Sequence, residues 1–91
     1  MANIEIRRRH GLGLDAAKKA VTSVAEELRH DLKASHHWQG DDLSFECPGA
    51  NGRINVTESE VCVEVGLSWL LTPAKGKIER AIAEYLDRYL A

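Results

Sequence analysis

Four histidines and two cysteines are the side chains best suited to metal or redox chemistry in this sequence, and their spacing gathers no site. Imidazole and thiolate are the common zinc ligands. Here His36 and His37 are adjacent, no Cys-x-x-Cys or His-x-x-x-His pair occurs, and the alternation around Cys47 and Cys62 places them on opposite faces of a sheet. Opposite faces also argue against a disulfide, which needs its Cβ atoms about 3.8 Å apart. The serines, Ser23, Ser35, Ser44, Ser59 and Ser68, lie in no nucleophile-elbow context, and no glycine-rich phosphate loop follows a strand. Asp41-Asp42 reads as a solvated turn in which short acids bond the backbone. These patterns predict no catalytic residue, no metal and no cofactor, and hence a protein that is not an enzyme.

Charge and exposed apolar groups offer more. Lys75-Gly76-Lys77 stands where a helix begins, although cations oppose the helix dipole there and glycine weakens a first turn. Free N–H groups with two ammonium groups would form an anion seat, for a phosphate, a coenzyme A tail or an acidic partner; otherwise both lysines extend into water. Just before them, Trp69, Leu70 and Leu71 fall at a strand-to-helix junction. Core closure is the favoured reading, because a small chain needs its large side chains inside; left exposed, the same residues are an interface candidate. Arg7-Arg8-Arg9-His10 is the densest positive run, but a strand splits it between two faces, and a charged edge strand accounts for it.

The elements that must position these groups are legible from periodicity. Ile4 and Ile6 alternate with Glu5 and Arg7, a half-buried strand over Asn3 to Arg9 that joins one edge of a sheet. Gly11-Leu12-Gly13 breaks it, and Asp15 favours the start of a helix whose stripe is Ala17, Val21, Val24, Leu28 and Leu32. Period 2 returns from His36 to Leu71, with turns at Gly40-Asp41-Asp42, Pro48-Gly49-Ala50-Asn51-Gly52 and Glu58-Ser59-Glu60. Strands at His36–Gln39, Leu43–Cys47, Arg53–Thr57 and Val61–Leu67 would turn Leu43, Phe45, Cys47, Ile54, Val56, Val61, Val63 and Val65 inward.

Thr72-Pro73 predicts the start of a last helix that runs nearly to Ala91. Its apolar arc, Ile78, Ala81, Ile82, Tyr85, Leu86, Tyr89 and Leu90, is wider than one contact surface requires. The arc therefore touches the sheet and either the first helix or a second copy. A homodimer with Tyr85, Tyr89, Leu90 and Trp69 at the contact is the expectation drawn from it.

With 91 residues, 44% hydrophobic and 29% charged, the chain is predicted to form one domain over residues 1–91. The fold class is α+β: two layers, a mainly antiparallel sheet in the order β-α-β-β-β-β-α, and both helices on its apolar face. A net charge of −2 argues against a nucleic-acid partner that works through a basic surface. The most apolar stretch, Val65 to Leu71, is too short for a transmembrane segment, which needs roughly 20 residues. Without an apolar signal segment at Met1-Ala2-Asn3-Ile4, and with two free thiols, the chain reads as cytoplasmic.

Three stretches carry a family resemblance: Ile4-x-Ile6-x-Arg8-x-His10 with Gly13-Leu14; Trp38-x-Gly40-Asp41-x-Leu43-x-Phe45; and Leu70-Leu71-x-Pro73-x-Lys75-Gly76-Lys77-Ile78-Glu79 with Leu86-Asp87. In these the chain resembles, over nearly its whole length, the polyhydroxyalkanoic acid system protein family. Its members are small bacterial proteins named for genes that lie among those for storage-polymer synthesis and granules. Ala74 departs from the pattern, in which a large aromatic precedes the first lysine. The resemblance supplies no catalytic residue. It implies a non-enzymatic accessory or interaction protein of the polyhydroxyalkanoate system, with protein partners or the granule surface as its target. The alternative is a small-ligand or acyl-coenzyme A binding module, holding its ligand between helix and curved sheet with Lys75 and Lys77 at the anionic end.

Overall fold

Alternation of apolar and polar residues builds five strands, and two stripes of helical period cover one side of them. The computed structural model describes residues 2–90, with the elements β1 (Ala2–Arg9), α1 (Leu14–Leu32), β2 (Ser35–Gln39), β3 (Asp42–Cys47), β4 (Ala50–Val56), β5 (Glu60–Leu67) and α2 (Lys75–Leu90). The strands form one antiparallel sheet in the order β1-β5-β4-β3-β2, so β1 crosses over to pair with β5 while the rest follow as hairpins. This is the expected α+β architecture, and β1 takes the edge beside β5.

Turn chemistry fixes the registers. Gly40, at φ 64°, begins the two-residue turn between Gln39 and Asp42, and Pro48-Gly49, with Gly49 at φ 87°, closes the next hairpin at Cys47 and Ala50. The five-residue turn expected from Pro48 to Gly52 is therefore too long, because β4 begins at Ala50. Gly52 is a packing residue rather than a turn residue: a Cβ there would lie 2.3 Å from Phe45 Cζ, so the strand is bare where the ring crosses it.

The inward residues of the sheet meet Ala17, Ala20, Val21, Val24, Ala25 and Leu28 of α1 and Ile78, Ile82, Leu86 and Leu90 of α2 in one apolar cluster. Cys47 is half-buried at its margin, and burial pushes its thiol above the ordinary range. Cys62 lies on the other face, across from Asn55 and Arg7. The volume that an acyl chain would need between helices and sheet is filled by this cluster, in which Val24, Leu28, Ile54, Ile82 and Leu86 are 2% exposed or less.

α1 is tied to the β2–β3 hairpin by side chains. Lys18 Nζ donates to the Gly40 carbonyl at 2.9 Å and stands 4.9 Å from the centre of the Trp38 ring. The Trp38 indole N–H donates to Thr22 Oγ1 at 3.1 Å, and the Thr22 hydroxyl in turn donates to the Lys18 carbonyl. The helix ends at Lys33, whose φ of 57° is the left-handed conformation that favours glycine. At the far edge, the positive run divides as expected. Arg7 faces Glu5 and Glu60, whereas Arg8 reaches across to Asp87 of α2 at 3.0 Å.

Candidate interaction surface

The corner between β5 and α2 presents the most exposed apolar groups among the described residues. Trp69 is 73% exposed and Leu70 65% exposed. Core closure by these two side chains is thus overturned, and only Leu71 turns back, half-buried against the core cluster. The reason is economy of space: both helices already cover the apolar face, leaving the corner no interior to enter.

That corner is held firmly. The Ser68 N–H donates to the Gly49 carbonyl at 2.8 Å, joining it to the Pro48-Gly49 turn. Its carbonyl accepts from three donors, the Leu71 N–H, the Thr72 N–H and the Thr72 hydroxyl, each at 3.1 Å. Trp69 and Leu70 occupy the tip of the turn closed by these bonds. Thr72 accordingly does not cap α2 by accepting from its N–H groups; its hydroxyl is spent backwards on Ser68. A single 3-10 turn, Thr72–Ala74, intervenes, and the helix proper starts at Lys75.

This turn changes the anion seat expected at Lys75-Gly76-Lys77. The Ala74 N–H donates to Leu71 and the Lys75 N–H to Thr72, while Pro73 has none to offer. Fewer free backbone donors remain than a bare helix start would supply, and Lys75, Gly76 and Lys77 are all exposed. Leu71 and the 3-10 turn Thr72–Ala74 separate the three from Trp69 and Leu70.

Tyr85, Tyr89 and Leu90 lie elsewhere, and the wide arc of α2 is occupied within one chain. Leu90 is buried in the core, the Tyr89 hydroxyl donates to Glu27 Oε1 at 3.0 Å, and the Tyr85 hydroxyl donates to Asp31. The first helix supplies the second surface that the arc required, so its width gives no reason for a second copy at these residues. Asp31, accepting from Tyr85 and from His30, is held below the usual carboxylate range; the same bond pushes Tyr85 up to about 12. The signal for this contact was present in the sequence: Glu27 and Asp31 are four apart, as are Tyr85 and Tyr89, which is the matched spacing of two antiparallel helices.

The uncovered sheet face is mainly polar, with Cys62 and Gly66 among its Asn, Glu, Arg, Ser and Asp residues. Its central rows run Asn3–Gly66–Asn51–Glu46 and Glu5–Glu64–Arg53–Ser44, and they line a shallow depression of about 580 Å³. Among the described residues no group of three or more His, Cys, Asp and Glu side chains is placed to share a metal ion.

The chain is thus a two-layer α+β domain, with both helices on one face of the sheet and an exposed apolar corner between β5 and α2. The chain belongs to the family described as Putative polyhydroxyalkanoic acid system protein, whose model matches residues 4–90. No curated protein and no solved structure matches it. Among the described residues no helix is long and apolar enough to cross a membrane.

Proposed function

We propose that this chain is a non-enzymatic accessory protein of the polyhydroxyalkanoate system that attaches to the apolar surface of the storage granule through its β5–α2 corner. The observation that carries this reading is the exposure of Trp69 and Leu70 on a turn locked by Ser68, in a chain whose other large apolar side chains are nearly all packed. A polyester surface is water-excluding, and burying one large apolar side chain contributes about 1.5–3 kcal/mol. Two such groups give weak, reversible attachment. Lys75 and Lys77 lay their alkyl stems toward that surface and keep their ammonium groups in water.

Co-sedimentation with polyhydroxybutyrate particles tests it. The wild-type chain is expected to pellet with the particles and to stay bound in high salt, since the contact is apolar rather than ionic. A Trp69→Ser/Leu70→Ser variant is expected to remain in the supernatant with its melting temperature unchanged. A wild-type chain that fails to pellet, or a double variant that pellets equally well, overturns the reading.

A further inference from the structure

The two edges of the sheet are built differently. On β1 the outward backbone groups belong to odd-numbered residues, because the His10 N–H donates to Ser59 and so sets the even positions toward β5. This edge is guarded: Arg7, Arg8 and Arg9 crowd it, and the Arg7 carbonyl already accepts from the Arg8 guanidinium at 2.9 Å. On β2 the parity is equally determined. The Val56 N–H donates to the Asp41 carbonyl, which sets the odd residues of β3 toward β4 and its even residues, Asp42, Ser44 and Glu46, toward β2. Their partners Gln39, His37 and Ser35 are thereby satisfied, and the N–H and C=O groups of His36 and Trp38 point out of the sheet.

Among the described residues this second edge carries no comparable guard. Ser35-His36-His37-Trp38-Gln39 contains no Asp, Glu, Lys, Arg or Pro, and its pairing with β3 runs without a bulge. We propose that β2 is a self-pairing edge, at which two copies of the chain join β2 to β2 in antiparallel fashion about a two-fold axis through His37.

The register follows from the parity. Only His36 and Trp38 carry outward groups, and centring on His37 brings all five residues into the ladder. His36 then exchanges both backbone bonds with Trp38 of the second copy, and the mate pair does the same, for about four new hydrogen bonds. Ser35 comes opposite Gln39. His37 comes opposite its own counterpart in a close pair, Cα atoms about 4.5 Å apart, on the uncovered face. Around it on that face are Ser44 directly across β3, Asp42 and Glu46 on the diagonals, and Arg53 one strand further; both helices pack on the other face. On the helix face the neighbouring His36 lies 3.8 Å from Glu26.

Sedimentation equilibrium at high micromolar concentration tests the proposal. At about pH 7.5 the wild-type chain is expected at twice its 10.1 kDa mass. His37→Glu and His37→Lys are each expected at the single-chain mass, with unchanged far-ultraviolet circular dichroism because His37 is exposed. Mixing the two variants is expected to restore the doubled mass, as a carboxylate then meets an ammonium group at the axis. A wild-type chain at 10.1 kDa, or a doubled mass that survives His37→Glu, overturns it.

Discussion

Leu71 rests directly on Gly49: a Cβ at position 49 would stand 3.0 Å from both Cδ1 and Cγ of Leu71. Gly49 also sits at φ 87°, where an L side chain is strained. Gly49→Ala is therefore expected to destabilise the chain by about 1–3 kcal/mol, read as a lower urea midpoint. A variant as stable as the wild type would show that the corner is not clamped to the β3–β4 turn.

The sheet register predicts opposite outcomes for neighbours in β5. Val63 is fully buried between Ile6 and Ile54, and Glu64 is exposed on the other face. Val63→Asp puts an unpaired charge in the core and is expected to cost about 3 kcal/mol or more, enough to unfold a small domain. Glu64→Ala is expected to stay within about 0.5 kcal/mol of the wild type. Thermal melts of both variants check this, and equal effects would refute the register.

The link between α1 and α2 has a pH signature. Tyr85 is raised from 10.0 to about 12 by its bond to Asp31, so its share of stability is whole below pH 10 and lost as pH climbs through about 12. Asp31 is depressed, so its share is whole above its ordinary 3.8 and lost as pH falls through the lower folded value. In a Tyr89→Phe background, phenolate absorbance should report the Tyr85 midpoint near 12, and adding Asp31→Asn should return it toward 10. Identical midpoints with and without Asp31 would contradict the contact.

Element type and sheet facing were legible because alternation at Ile4, Ile6, Val61, Val63 and Val65, and helical spacing from Ala17 to Leu28, follow directly from burial on one side. Composition misled at Gly52, where a turn-forming residue serves as the bare patch beneath Phe45. It misled again at Trp69 and Leu70, since hydrophobicity predicts burial only while interior volume remains. Periodicity leaves the tyrosines of α2 open between the first helix and a second copy, because their partners, Glu27 and Asp31, lie 62 and 54 residues earlier in the chain. The charge that guards the β1 edge is legible in Arg7-Arg8-Arg9, whereas which backbone groups turn outward on β2 depends on hydrogen-bond parity, which only the paired registers reveal.

The most direct measurement of the account is the fluorescence of Trp69 at a polyester surface. Trp38 is the other tryptophan, so a Trp38→Phe chain reports Trp69 alone. Free in buffer, a side chain 73% exposed should emit as a solvated indole. On titration with polyhydroxybutyrate particles the emission is expected to shift to the blue and to become shielded from a soluble quencher as the indole leaves water. An emission maximum and quenching that stay unchanged while the chain is bound, or no binding at any particle concentration, would contradict attachment through this corner.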